Sequence, residues 1–486
     1  MEKSHIAQSF LSGSSYSLLS NLYRTLLNFA VIIIFARFLT PYDYAVAALS
    51  ISIISVYRIF SEFSFSDYII QNRNLAEDDL SSFFWVNIFI SAIGCLLFFS
   101  SSNFFSSFFD MPEVSGAINV LVLSLLIESI GFQGRTQLVK SLSFKAISFI
   151  DAISATIGIG LSFIIVLMGY EYWGLIGVFG IKLLFSHLIF FFYANWKPVF
   201  RFNLRVISES FDYCVPLVFS NVLMTATVAI KNGLINNFVG KNELGIFSKA
   251  DKISSIPQMV IVGPLNRLVF PLLTKFRVDT VGYNENYLYL AKLVSFLSYP
   301  LATIIICFPS EFIILLLGEN WIEAIPVFKG LSLACFAFCA SNLSKWLFLS
   351  FGNTHRLLNV NILKLLIFSI VILVSSRYGI IVVAYSYALT ELALTLPIIF
   401  YANIGTGIKF HKILQSQISA ITLSIISVIV PFGIWKTSAS ENLYIFLLIA
   451  PLLYFIIYLT LTLRLNFIKE FLDSTSIFEK SSFGRK

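Results

Sequence analysis

Charge is what this chain has least of. Only 12% of its 486 residues are Asp, Glu, Lys or Arg, against about 25% in a soluble domain. No stretch between its apolar runs approaches the roughly 50 residues of even a small soluble domain. Metal and redox signatures are also missing. The five cysteines (Cys95, Cys214, Cys307, Cys335, Cys339) lie in apolar runs with no CxxC and no Cys/His grouping, so no metal or thiol-exchange framework can be read. Cys335 and Cys339, four apart on one helical face, read as small packing residues. Alternating ten-residue segments are absent, which excludes an outer-membrane barrel and leaves helices as the spanning element. No basic region stands outside the apolar runs, which argues against nucleic acid. Residues 1–16 are polar and the first apolar run has no small-x-small exit, so that run is expected to stay as a permanent first helix.

What is present is apolar surface: 57% hydrophobic residues, 16% aromatics and a mean hydropathy of +0.85. The expected class is an all-α integral membrane protein. A spanning helix needs about 20 residues, and the runs predict about fourteen of them. They lie near 17–39, 45–70, 83–108, 117–137, 151–169, 174–194, 213–239, 244–271, 288–309, 323–348, 358–376, 380–402, 413–434 and 443–463. With the N-terminus inside, seventeen Lys or Arg fall on inner segments and three (Lys241, Arg377, Lys436) on outer connections. The positive-inside rule then places both termini in the cytoplasm. Tyr16, Tyr23, Tyr170, Tyr172 and Trp173 sit at helix ends, as an interfacial aromatic belt requires.

The chain repeats. Residues 35–45 form an apolar helix end, a short polar turn with one acid and a small residue opening the next helix; residues 235–245 do the same. Six helices separate the two turns, so the halves run parallel, which is a transporter design with substrate bound between halves. The expected organisation is a six-helix lobe over 1–205, a second over 206–405, two additional helices over 406–464 and a cytoplasmic tail over 465–486.

Several segments together carry a family resemblance: ARFLTPYDYA at 36–45, FDMPE at 109–113, GYEYWGLI at 169–176, NWKP at 195–198, FVGKNELGIFSKADKISSIP at 238–257 and NRLVFPLLTK at 266–275. In order and spacing they resemble the WzxC-like polysaccharide exporter, or lipopolysaccharide O-unit flippase, family of the MOP superfamily, which also holds MATE transporters and lipid II flippases. The resemblance implies two six-helix lobes around a cavity and an undecaprenyl-pyrophosphate-linked oligosaccharide as cargo. It further implies membrane lipids as partners, a bacterial inner-membrane location, and work beside a polysaccharide polymerase and chain-length proteins. Where the family often has an acid near the end of helix 7, this chain has Lys231-Asn232, which makes the expected cavity more cationic.

A charge near mid-bilayer costs at least about 2.5–3.5 kcal/mol on insertion scales, so charges within the runs need a reason. Arg24, Arg58, Lys231, Lys249, Lys252 and Arg267 fall on helices 1, 2, 7 and 8, the matching hairpins of the two halves. Arg24 is about seven residues into its helix, roughly 10 Å along the axis. Guanidinium forks bind phosphate oxygens bidentately, so these six are the candidate cargo-binding cations. The alternative is internal pairing, for example Arg58 with Glu62 or Asp251 with a cation on a neighbouring helix. Arg37, Arg135, Lys292 and Lys329, near helix ends, are expected to snorkel. Among the intramembrane acids Glu62, Asp67, Glu128, Asp151, Asp251 and Glu391, the candidates for binding a coupling Na⁺ or H⁺ are Glu62, Asp67, Asp251 and Glu391. Asp151 reads as opening helix 5, and His187 as a packed neutral histidine.

The reading that follows is a flippase working by alternating access through a cationic cavity, with no cofactor and no enzymatic activity. O-antigen, capsule and exopolysaccharide repeat units are equally suited as cargo. A membrane glycan polymerase or glycosyltransferase would need an aqueous loop carrying acids or a base; the longest outer connection, 309–322, has Glu311 and Glu319 but no DxD and no histidine. A MATE-like exporter of small cations would need an acidic cavity, and this one is net basic.

Overall fold

The computed structural model describes residues 20–464 apart from 21, 73–74, 142, 195, 264, 266–268, 270–272, 274–279 and 439–442. Every regular element among the described residues is helical. In chain order these are α1 (Leu22–Ala36), α2 (Pro41–Glu62), α3 (Phe65–Gln71), α4 (Glu77–Phe109), α5 (Pro112–Lys140), α6 (Phe144–Leu167), α7 (Glu171–Tyr193), α8 (Leu204–Phe238) and α9 (Lys241–Ser254). A π-helical turn at Gln258–Val262 follows. Then come α10 (Thr280–Cys307), α11 (Pro309–Leu317), α12 (Ala324–Ser332), α13 (Ala334–Ser350), α14 (Thr354–Ser375), α15 (Ile380–Asn403), α16 (Phe410–Ser438) and α17 (Leu443–Arg464).

Eleven helices among the described residues are long and apolar enough to cross a membrane, α12 and α13 together counting as one; Leu22–Ala36 and Ala450–Leu463 are shorter apolar helices. The expected span 244–271 is described only as α9 and the π-turn. Several helices outrun their apolar stretches: α4, α5 and α8 have 33, 29 and 35 residues. The reason is visible at α4, whose first turn is Glu77, Asp78 and Asp79. Carboxylates there suit the helix dipole and carry the helix beyond the hydrocarbon.

One expected helix is broken. The run 45–70 divides into α2 and α3 at Phe63 and Ser64, which take φ of 42° and 53°. An L-residue in this left-handed region costs about 1–2 kcal/mol. Packing holds it there: the Phe63 ring lies 5.3 Å from Phe65 and 5.2 Å from Phe211, and Phe65 and Ile69 are fully buried with Phe83 and Cys214. At the other end of α2, Pro41 occupies the first turn, and Thr40 and Asp43 form a reciprocal capping box, satisfying two backbone donors.

The chain clusters into two compact units: Met1–Lys249 with Asn361–Ile380, and Ala250–Val360 with Ile381–Lys486. In the first, α4, α5, α6 and α7 pack side by side, and α2 lies on α5 and α8. Small residues let helices approach in a membrane, and α5 meets α7 this way: a Cβ at Gly131 would run into the His187 backbone, and one at Gly134 into the Phe190 carbonyl. In the second unit α10 packs along α16 and α13, over a core that includes Tyr283, Tyr287, Leu343, Trp346 and Ile399.

Candidate functional site

The α5–α7 crossing assembles the charges of the first unit. Glu128 is one turn before Gly131 and is 1% exposed. Arg58 reaches it from α2, donating through Nε to both carboxylate oxygens at 2.8 and 3.0 Å. From α7, His187 Nε2 lies 3.7 Å from Glu128 Oε1. His187 Nδ1 sits 3.0 Å from the Leu183 carbonyl; a carbonyl only accepts, so Nδ1 carries the hydrogen. The other ring nitrogen, Nε2, is the one that faces the carboxylate.

On the adjoining helices Arg24 of α1 donates to Asp151 of α6 at 2.9 Å, their side chains 19% and 12% exposed. Gly158 of α6 leaves room for α7 at Lys182, whose Cβ a Cβ there would approach to 3.0 Å. Lys182 is within electrostatic range of Arg24, Asp151, Arg58 and Arg135. Among the described residues it forms no hydrogen bond or ion pair. Arg24, Arg58, Arg135 and Lys182 are thus four cations near the two described carboxylates Asp151 and Glu128, and among the described residues Lys182 is paired with neither.

The other candidate cations are placed differently. Lys231 on α8 is buried, its Nζ 5.2 Å from the Phe247 ring centroid. Lys249 on α9 is buried too; its Nζ donates to the Ile32 carbonyl and to the Tyr44 hydroxyl, each at 2.9 Å, and lies 4.2 Å over the Tyr44 ring. Lys252, a turn further, is exposed. Arg267 lies outside the described residues, as does the Glu62 side chain. Asp67 is exposed on α3, Asp251 is half-buried on α9, and Glu391 is buried on α15. In the second unit Asp251 and Glu391 both act electrostatically on Tyr387.

One local expectation is corrected and one partner is added. Arg58 pairs with Glu128 on α5, seventy residues away; the Glu62 side chain, its other expected partner, lies outside the described residues. Asp151 does not open a helix, because α6 begins at Phe144; it stands two turns inside as the partner of Arg24. Glu128, His187 and Lys182 all stand within apolar runs, but nothing in the order of residues brings them together. The signal that could have done so is the small-residue spacing Gly131–Gly134, which marks where α5 admits another backbone.

A groove of about 940 Å³ also opens on the first unit, where Leu22, Tyr23 and Leu26 of α1 face Phe149 and Ala152 of α6, with Lys145 at its rim. Its lining is mostly apolar and suits a hydrocarbon chain.

Residues 34–326 match a family described as polysaccharide biosynthesis protein. Over 332 residues the chain is 25% identical to the teichuronic acid biosynthesis protein TuaB of Bacillus subtilis, covering 68% of each. It is 20% identical to the lipopolysaccharide biosynthesis protein WzxC of Escherichia coli, over 66% of this chain and 65% of that one. The fold is shared with the lipid II flippase MurJ in an inward closed conformation: TM-score 0.73, 14% identity, 94% of this chain and 98% of that one. It is also shared with an inward-facing multidrug resistance MATE family transporter of the MOP superfamily: TM-score 0.59, 13% identity, 82% and 98% covered. At these identities the two solved structures establish the fold.

Proposed function

This chain belongs to the polysaccharide biosynthesis protein family, and on that premise we propose that it flips an undecaprenyl-pyrophosphate-linked oligosaccharide across the bacterial inner membrane by alternating access. The observation that carries the reading is the surplus cation. Arg24 and Arg58 are each matched by a carboxylate while Lys182, in their field, is not. Such a cluster attracts a pyrophosphate, and forked guanidinium groups can exchange a carboxylate for a phosphate without losing hydrogen bonds. Lys231, Lys249, Lys252 and Arg267 remain proposed contributors, and the lobes 1–205 and 206–405 the proposed moving halves, with both termini cytoplasmic.

Release needs an energy source that favours the outward state. A membrane potential supplies about 2.3 kcal/mol per charge per 100 mV. His187 offers a second source: a proton gained at Nε2 would face Glu128 and compete with Arg58 for it. Glu62, Asp67, Asp251 and Glu391 are the further candidates for a coupling Na⁺ or H⁺. The test is reconstitution. Liposomes holding the chain and a lipid-linked repeat unit in one leaflet should show protein-dependent appearance of the glycan in the other. Lys182→Gln should abolish it with the protein still inserted. Equal flipping by the wild type and Lys182→Gln would overturn the assignment of this cluster.

A further inference from the structure

The turns that join α1 to α2, α4 to α5 and α8 to α9 lie at one end of the first unit and enclose a hollow of about 810 Å³. That is within the roughly 300–1,000 Å³ of small-molecule sites. Its walls combine aromatic faces (Tyr42, Phe108) with planar amides and carboxylates (Asn237, Asn242, Glu243). Tyr42 donates its hydroxyl to Glu113 at 2.7 Å, which fixes the ring. Lys241 donates to Asp110 at 2.7 Å and to the Asp110 backbone carbonyl. This holds the Asp110 carboxyl below its ordinary range, so the pair stays charged and mutually satisfied. A lysine beside the two acids Asp110 and Glu243 leaves little net charge to draw a strongly ionic ligand.

Asn236 orients the amide of its neighbour Asn237. It is 6% exposed and donates through Nδ2 to the Phe109 carbonyl and to Asn237 Oδ1, each at 3.0 Å. Its Oδ1 has no hydrogen-bond partner among the described residues. That oxygen is closed to solvent as placed; the exposed Asn237 amide, which accepts from Asn236 Nδ2, is the polar group that a ligand hydroxyl would meet. Amide and carboxylate oxygens take neighbouring hydroxyl groups in pairs, while aromatic rings take an apolar ligand face. A pyranose ring has both features.

We propose that this hollow binds sugar residues of the transported glycan at the outer face, where the cargo is handed on. The proposal rests on the flippase reading and on its sidedness. It is tested with full-length protein in lipid nanodiscs and the free repeat-unit oligosaccharide, released from the host's lipid carrier by mild acid and carrying neither lipid nor phosphate. Calorimetric titration should show binding that weakens at least tenfold in the double variant Asn237→Ala/Asn242→Ala, both exposed positions, and in Phe108→Ala. Gly160→Ala, where an added Cβ meets nothing within 4 Å, should bind as the wild type does. No binding by the wild type, or equal binding by the double variant, would overturn the site. So would a response to calcium chloride that Asp110→Asn removes, in the absence of any response to sugar. Proteoliposomes that flip the lipid-linked unit without binding the free oligosaccharide would sink this site alone; binding without flipping would sink the transport reading alone.

Discussion

Arg58 and Glu128 stand seventy positions apart in the chain and meet edge to edge, one guanidinium nitrogen spanning both carboxylate oxygens. The pair joins α2 to α5 and gives α7, through His187, a third side of the same contact. Removing one partner of a buried pair costs about 3–5 kcal/mol. The cost here is discounted, because the Arg58 side chain is 32% exposed and partly screened. Glu128→Ala should therefore lower the amount of folded protein in the membrane, with the charge swap Arg58→Glu/Glu128→Arg recovering part of it. Flipping should not return with the swap, because the cation has moved to another helix. Detergent-solubilised yield and thermal unfolding, measured beside transport, separate the two effects.

His187 gives the cluster a dependence on pH that Arg58 and Glu128 alone would lack. With a proton on Nε2 the 3.7 Å contact with Glu128 is an attraction between opposite charges, and without one it is not. His187→Gln keeps a polar side chain but cannot take up that proton. Flipping by this variant is expected to change less with pH than flipping by the wild type. A pH profile unchanged from the wild type would remove the histidine from the mechanism.

The α5–α7 crossing is a matter of space. A methyl group at Gly131 or Gly134 must push α7 away, since its obstacle is backbone. Overpacking of this sort costs about 1–3 kcal/mol. Gly131→Ala and Gly134→Ala should each lower the thermal midpoint and, by shifting His187, also impair transport. Gly160, one helix away, has nothing within 4 Å of an added Cβ, and Gly160→Ala should leave both readouts alone.

Hydropathy made the membrane class, most spans and the match of the two turns legible, because bilayer thickness is a strong constraint on run length. It did not reveal the break at Phe63–Ser64. The apolar pattern continues across it, and no glycine or proline marks it; ring packing from α8 imposes it. It also placed the start of α6 too late, since Lys145 and Ser148 interrupt the apolar run without interrupting the helix. At the candidate site the charged residues could be named but not paired. Arg58 and Glu62 are one turn apart, a spacing that suggests a local pair, but nothing in the sequence points from Arg58 to Glu128 on α5, the partner the structure describes. Cys335 and Cys339, read as packing residues, are both buried, Cys335 with its thiol donating to the Ser254 carbonyl at 3.0 Å.

The two matching turns supply the last test. Thr40 and Asp43 cap α2, while Gly245 of α9 abuts the Pro41 carbonyl so closely that a Cβ there would overlap it. The turn near 40 and the turn near 240 are thus in contact as well as alike. Thr40→Ala removes one cap and should cost about 1 kcal/mol. Gly245→Ala should cost more, because the Pro41 carbonyl is held by the first turn of α2 and has little freedom to yield. The two losses should not add: once the cap is gone, the start of α2 can move away from the new methyl group, and contacting sites of this kind couple. Thermal unfolding of both single variants and the double variant gives the coupling directly. Strict additivity would mean that the two turns respond independently, and the contact between the repeats would then have no energetic meaning.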